Sequence, residues 1–332
     1  MDKIKNSKLR LLHVLDILYS ESDMNNILTM GDITRKLRKR GISGERRSVG
    51  RDIKILQEFG YDISVYEENR KGYYMASREL EDIELKILID AVQSSKLITN
   101  KKSKELINKL QKLTSNHLAK TLQNQFYYGQ RIKCENEKVY YLINEINEAI
   151  INKKKILFQY LRYDIGSRKP IPKKDGRVYV IHPYSMVWCA DYYYLIGRHD
   201  KSDEIFHYRV DRMTNVKVLD IKAEFHEAHL TNGKFNIAKH INKIFNMYPG
   251  KIEGVDIKLE KSLLDTFIDR FGSNVYMREL DDKYIKISAT VAVSDGFISW
   301  LLQFGPRIEL LSPEKLREDL KNKAKKIFRI YE

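Results

Sequence analysis

Arg47, Arg51 and Lys54 recur at intervals of four and three residues, so on a helix they form one stripe. Side chains of this type reach phosphates and base edges in a DNA groove. Val49, Ile53 and Leu56 repeat the spacing two residues later, about 200° around the helix, which sets an apolar stripe opposite the basic one. Residues 31–54 hold nine basic and three acidic side chains, a net +6. A second group lies in mid-chain, where "DYYYLIG" at 191–197 is followed, across the polar turn "RHDKSDE", by "IFHYRVDRM". Tyrosine rings stack on bases while arginines hold phosphates. Strand alternation predicts His207, Arg209 and Asp211 on one face, with Phe206, Tyr208 and Val210 on the core face. Each group has a plainer reading. The basic stripe could be a solvated helix face, and the tyrosines could be core aromatics beside a structural Arg209–Asp211 pair. A third group, "HEAH" at 226–229, is one residue short of the His-Glu-x-x-His zinc motif and has no evident third ligand, so no metal site is expected.

The remaining chemistry is sparse. The chain contains no glycine-rich phosphate loop, no serine nucleophile elbow and no paired thiolates. Neither a cofactor nor an enzymatic activity is expected, although a catalytic constellation dispersed in sequence would leave no motif. The 332 residues suggest two or three domains, and 42% apolar content suffices for ordinary cores. A net charge of +15 favours a polyanionic partner, with a generally basic composition as the alternative. Two cysteines, Cys134 and Cys189, argue against a disulfide framework. No apolar run approaches a membrane span, and the first residues mix charge through their apolar positions. A cytoplasmic, reducing location without membrane contact is therefore expected.

The elements that must position these residues follow from periodicity. Leu11, Val14, Leu15 and Leu18 predict a first amphipathic helix. Thr29, Asp32 and the closing Gly41 bracket a second, and the basic third helix ends at Gly60. "YDISVYEENRKGYYM" then predicts a hairpin whose turn offers Arg70 and Lys71 to phosphates. Two helices across a tight turn form a helix-turn-helix, and the hairpin forms a wing. Residues 79–126 read as packing or dimer helices, with Leu80, Ile83, Ile87 and Val92 as one stripe. A helix over 139–154 precedes five short strands from 155 onward, which suggests a small curled sheet or barrel. From 251, strands and helices alternate again, ending in a basic helix after Pro313.

"RRSVGRDIKILQEFGYDI" with "KGYYM" resembles the winged-helix domain of the WYL-domain transcriptional regulators over residues 8–76, with Gly50 where a larger residue is common. Residues 137–222 resemble the WYL domain itself. Tyr193, Tyr194 and Leu195 stand at its Trp-Tyr-Leu signature, Pro183 lies in the matching "VIHPY" strand, and Arg209, Asp211 and Arg212 match its Arg-x-Asp-Arg element. "WLLQFGPRIELLSPEKLRE" resembles the extension that follows such domains.

The resemblance implies a multidomain α+β protein. Its expected parts are a winged helix-turn-helix (1–76), a helical linker or dimerisation region (77–136), a small Sm-like β-barrel (137–222), a linker (223–250) and a ferredoxin-like α+β module (251–332). It implies a homodimeric regulator that binds an operator in double-stranded DNA through Arg46, Arg47, Ser48, Arg51, Lys54, Arg70 and Lys71. Its expected effector is an anionic nucleotide or single-stranded nucleic acid, held by Tyr160, His182, Tyr193, Tyr194, His207, Arg209 and Arg212. The alternative from another class is a nucleic-acid-processing enzyme, or an accessory module, acting on single strands.

Overall fold

A computed structural model of the chain describes residues 7–124, 133–200, 202–226, 230–231 and 234–332. The chain divides into two compact units, Met1–Glu135 and Asn136–Glu332. The fold is mixed helix and sheet throughout. No helix among the described residues is long and apolar enough to cross a membrane.

The first unit opens with α1 (Ser7–Glu21), α2 (Met30–Lys39) and α3 (Arg46–Phe59). Thr29 and Asp32 form a reciprocal capping box at the start of α2, which satisfies donors the first turn would leave open. Gly60 ends α3 at φ 113°, a left-handed conformation that glycine adopts without steric cost. Val14, Ile17, Leu18, Ile33, Leu37, Val49, Ile53 and Leu56 share one core. The expected hairpin is shorter than its sequence suggests. β1 (Ile63–Ser64) and β2 (Tyr74–Met75) pair over two residues each, and a single helical turn, α4 (Tyr66–Asn69), fills the bend. Tyr73 is paired elsewhere: its backbone exchanges hydrogen bonds of 3.0 and 2.7 Å with Leu28.

Next come α5 (Asp82–Ser94), α6 (Asn100–Gln111) and α7 (Asn116–Asn124). The inward stripe of α5 is Leu85 and Ile89, while Ile83 and Ile87 are exposed. Of the expected stripe, Leu80 and Val92 pack against the cluster around Leu85 and Ile89, and Ile83 and Ile87 do not, because α5 carries apolar residues on more than one face and spacing alone does not choose between them.

The second unit begins with α8 (Val139–Ile151), whose Val139, Leu142, Ile146 and Ala149 are buried. The strands β3 (Lys154–Tyr163), β4 (Pro170–Pro172), β5 (Val178–Cys189), β6 (Tyr192–His199), β7 (Ile205–Arg209) and β8 (Met213–Lys222) make one antiparallel sheet. Its order is β4-β3-β5-β6-β7, with β8 also on β3. The expected closed barrel is not formed. β7 and β8 are joined by a 3-10 turn at Val210–Arg212, and no ladder pairs them among the described residues. That turn occupies the corner where closing hydrogen bonds would have to begin. It also takes Asp211 off the strand, so its position is set by the turn rather than by strand alternation.

Short β9 (Leu230–Thr231), β10 (Lys234–Phe235) and α9 (Ile237–Ile241) lead to the last module. There β11 (Lys251–Glu260), α10 (Leu264–Phe271), β12 (Tyr276–Glu279), β13 (Tyr284–Val293), α11 (Asp295–Leu302) and β14 (Ile308–Ser312) follow a βαββαβ order. The sheet is antiparallel in the order β12-β13-β11-β14, and α12 (Glu314–Phe328) follows it. Ile257, Ile287, Phe267 and Phe297 form the centre of its core.

Candidate nucleic-acid interface and ligand face

On α3 the apolar stripe is fully used. Val49, Ile53 and Leu56 are buried, which turns Arg47, Arg51 and Lys54 outward, all three exposed. Arg46 is exposed at the first position of the helix, and Ser48 is half-buried. Of the two acids in this helix, Glu58 is exposed in the last turn and Asp52 faces inward. It is 4% exposed and accepts from Arg10 Nε at 2.6 Å and Nη2 at 3.2 Å. Its hydrogen bond and charge raise the Arg10 pKa against the opposing effect of burial. The pair ties α1 to α3 and removes a carboxylate from the outer face. Sequence reading missed Asp52, yet its place beside Ile53 on the Val49–Leu56 side was a usable signal.

The nearby cations of α2 are engaged differently. Arg35 pairs with Asp32, Lys36 with Glu21, and Arg40 with Asp16 and Glu21. None of Arg46, Arg47, Arg51 and Lys54 forms an ion pair among the described residues. A Cβ added at Gly50 would meet nothing within 4 Å, so the outward face is open there. In the wing, Asn69 accepts from the Lys71 and Gly72 backbone N–H groups at 2.7 and 2.8 Å. Arg70 is held exposed at φ 56°. Lys71 and Arg46 meet at a hollow of about 320 Å³ shared with Tyr66 and the first turn of α2.

The sheet of the second unit separates the expected effector residues. β6 pairs with β7 so that Tyr194 stands opposite Arg209 and Ile196 opposite His207. Tyr194, Arg209 and His207 therefore share a face. Tyr192 lies on that face by alternation, and its ring supports the Arg209 guanidinium at 3.4 Å. Sequence reading favoured Tyr193 and Tyr194, whereas the stacking ring is Tyr192. Asp211 clamps the same guanidinium, accepting from Nε at 3.1 Å and Nη2 at 2.8 Å. This leaves Nη1 outside the fork. Burial would lower the Arg209 pKa, but the Asp211 carboxylate and Tyr192 more than offset it, so the arginine stays charged. Arg212 is exposed at the end of the turn.

The others are placed differently. Tyr193 is on the opposite face, where its ring meets Trp188 edge-on at 5.0 Å. Tyr160 belongs to the core aromatics, with its ring 5.4 Å from Tyr208, and its hydroxyl accepts from the Arg209 backbone N–H at 3.2 Å. Burial raises its pKa, with the Arg209 hydrogen bond opposing. His182 is 1% exposed. Its Nδ1 accepts from the Glu224 N–H at 2.7 Å and its Nε2 lies 2.6 Å from Asp200, so it braces the chain after β8. Burial, then the Arg198 charge, lowers its pKa. His207 meets His240 at 2.9 Å between Nε2 atoms, and burial followed by the neighbouring ring pushes it down to about 4.

Two further features were not legible in the motifs. Gly197 lies inside β6, where a Cβ would sit 2.5 Å from the His182 carbonyl oxygen, so glycine permits the close approach to β5. Arg270 of α10 donates to the Ile244 carbonyl at 2.6 Å and lies 4.0 Å from the Phe245 ring centre. Its charge also acts on Cys189, the register partner of Tyr192, opposing the burial that raises the thiol pKa. In the "HEAH" segment His226 is described, and its backbone N–H donates to Tyr184 at 3.0 Å. Residues 227–229 lie outside the described residues. Among the described residues no cluster of three or more His, Cys, Asp or Glu side chains could hold a metal.

Comparison with known proteins places family matches on the second unit. The WYL domain matches residues 141–218 and the WCX domain residues 253–328. No curated protein matches the chain. Among solved structures it is similar to proteasome accessory factor B/C (PafBC) of Arthrobacter aurescens, at 15% identity and a TM-score of 0.28. That match covers 94% of this chain, which spans 45% of the other chain's length. It is also similar to a CRISPR Cas-related protein, at 16% identity and a TM-score of 0.38, over 77% of this chain and 75% of that one. The sheet bearing Tyr192 and Arg209, with the turn that holds Asp211, is thus part of a WYL domain, a WCX domain follows it, and in both the chain matches the WYL family.

Proposed function

We propose that the protein is a DNA-binding transcriptional regulator whose affinity for its operator is modulated by an anionic ligand at the WYL sheet. One observation carries this reading. The α3 helix buries Val49, Ile53 and Leu56, turns Asp52 inward to Arg10, and presents Arg47, Arg51 and Lys54 outward. An outer face that carries Arg47, Arg51 and Lys54, with the one exposed carboxylate, Glu58, only in the last turn, suits a major groove lined by phosphates. The WYL and WCX matches support a regulator in general terms, and the name of the PafBC relative fixes no ligand for this chain. Arg209, fixed by Asp211 and Tyr192 with Nη1 outside the fork, is the proposed phosphate-holding group, with Tyr194 and Arg212 beside it. Tyr160 supports that face from within, its hydroxyl accepting from the Arg209 N–H, while His182 braces the chain after β8. Two-fold pairing of the chain would present two α3 helices to a palindromic site.

The test is to recover genomic fragments bound by the full-length protein and to measure their affinity for the wild type and for Arg47→Ala/Arg51→Ala. Each arginine that contacts a base contributes roughly 1–3 kcal/mol, so the double variant should lose at least about tenfold in affinity. Its melting temperature should be unchanged, because both side chains are exposed. Normal binding by the double variant at about 150 mM salt, near physiological screening, would refute the assignment of α3.

A further inference from the structure

The helix α12 is held at its start and bare at its end. Leu316 is buried and Leu320 packs against the core of the last module. Arg317 pairs with Glu309 and Lys323 with Asp295. Beyond Leu320 every residue up to Glu332 is exposed except Lys323. Ile327, Phe328, Ile330 and Tyr331 all face solvent, Phe328 at 67% exposure. Ile327 continues the Leu316–Leu320 stripe seven residues on, so the apolar face that anchors the helix runs past the core it is anchored to. At the usual rise of roughly 1.5 Å per residue, the overhang from Lys321 to Phe328 is about 12 Å long. Lys325, Lys326 and Arg329 lie among its apolar side chains, and none of the three forms an ion pair among the described residues.

A patch that is both apolar and cationic restricts what can cover it. A polyanion would leave Ile327, Phe328 and Ile330 in water. A second α12 would set cations against cations. The complementary surface is apolar and acidic, and α5 presents one. Ile83 and Ile87, one turn apart, are 58% and 60% exposed, with Leu88 beside them. Residues 79–90 carry five acids, Glu79, Glu81, Asp82, Glu84 and Asp90, against one cation, Lys86, a net −4 within a chain of net +15. Lys86 pairs with Asp90. The other four acids are exposed and form no ion pair among the described residues. Acids in the first turn of α5 and cations in the last turn of α12 also suit the dipoles of their own helices. That accounts for the charges but not for the isoleucines and the phenylalanine left in solvent between them.

We infer that the overhanging end of α12 docks on the α5 face of a second copy of the chain. Ile327 and Phe328 cover Ile83, Ile87 and Leu88, while Lys325, Lys326 and Arg329 meet Glu79, Asp82 and Glu84. A two-fold axis makes the contact twice, because each copy offers one α12 and one α5. The inference rests on the two-fold pairing proposed above and names the surfaces that carry it. It uses neither α3 nor the Arg209 face, so the DNA and ligand assignments stand or fall separately.

The experiment measures self-association of the full-length protein by sedimentation equilibrium, without DNA and at about 150 mM salt. One variant reverses the α12 end, Lys325→Glu/Lys326→Glu/Arg329→Glu, and another reverses the α5 face, Glu79→Lys/Asp82→Lys/Glu84→Lys. Each alone should dimerise at least about tenfold more weakly, because like charges then face each other in both contacts. An equimolar mixture of the two should recover the wild-type affinity to within about threefold, because in a mixed pair each reversed surface meets its reversed counterpart. Ile87→Ser and Phe328→Ser leave the charges alone and should each also weaken the dimer at least about tenfold, through apolar area left wet. Melting curves at a dilution where the wild type is monomeric serve as the folding control. A wild type that stays monomeric at every concentration overturns the inference together with the two-fold pairing, and leaves α3 untouched. A dimer unaffected by both reversals and by both serine variants overturns the docking alone. Recovery in a single chain that carries both reversals, without recovery in the mixture, overturns the second copy as the occupant.

Discussion

Replacing Arg209 by alanine should separate a ligand-binding role from a packing role. The Arg209 and Asp211 side chains are 21% and 11% exposed, joined by two hydrogen bonds, and the guanidinium rests on Tyr192. Arg209→Ala leaves a largely desolvated carboxylate without its partner, which costs about 3–5 kcal/mol. Loss of the stacked cation adds about 1 kcal/mol. In a unit of this size each kcal/mol moves the melting temperature by roughly 2–4 °C, so a fall on the order of 10 °C is expected. Adding Asp211→Asn to Arg209→Ala should recover most of it, because the unpaired charge is then gone. The two single variants and the double variant form the cycle that isolates the pair. Arg209→Lys should fall between, since a lysine keeps the charge but loses the fork and the flat stacking surface. Oligonucleotide binding is then measured per folded molecule at a temperature where every variant is native. The ligand-face reading expects binding to remain lost in the Arg209→Ala/Asp211→Asn protein, where stability has returned. Restored stability together with restored binding would refute the ligand role. A stability loss below about 1 kcal/mol for Arg209→Ala would refute the premise that the pair is desolvated.

Gly50→Ala should raise thermal stability by about 0.5–1 kcal/mol, because alanine is the better helix former and a Cβ there meets nothing within 4 Å. The same variant should weaken duplex binding if a DNA backbone passes over this face, and a lowered melting temperature would contradict the open surface. The His207–His240 contact predicts a pH dependence. Burial, and then His240, hold the His207 pKa at about 4, below the ordinary value of 6.5. Between those values the unfolded chain binds the extra proton, so stability is full above about 6.5 and is lost as pH falls toward 4. The contribution is at most about 3 kcal/mol. Denaturation profiles of wild type and His207→Gln from pH 7 to 4 test it, and parallel profiles would exclude His207 as the source.

Local pattern determined a large part of this protein. The 3.6-residue spacing of Val49, Ile53 and Leu56 determines which way Arg47, Arg51 and Lys54 face, because a helix that buries one stripe must expose the opposite one. Thr29 and Asp32 determine the start of α2, since a capping box is made within four residues. The alternation that puts Tyr192 and Tyr194 on one side of β6 is equally local. Tertiary structure decided whatever depends on a partner distant in sequence. Only the packing of α1 on α3 brings Arg10 to Asp52, 42 residues away, and makes an acid of the basic helix part of the core. The β6–β7 register and the Val210–Arg212 turn together choose Tyr192 as the ring beneath Arg209 and hold Asp211 against the guanidinium. His182, expected at a ligand surface, is enclosed because the Glu224 backbone, 42 residues on, returns to its Nδ1. Whether the sheet closes was likewise beyond the sequence. Strand propensity predicts the strands, but closure depends on hydrogen bonds between β7 and β8, and the 3-10 turn at their junction keeps those two edges unpaired.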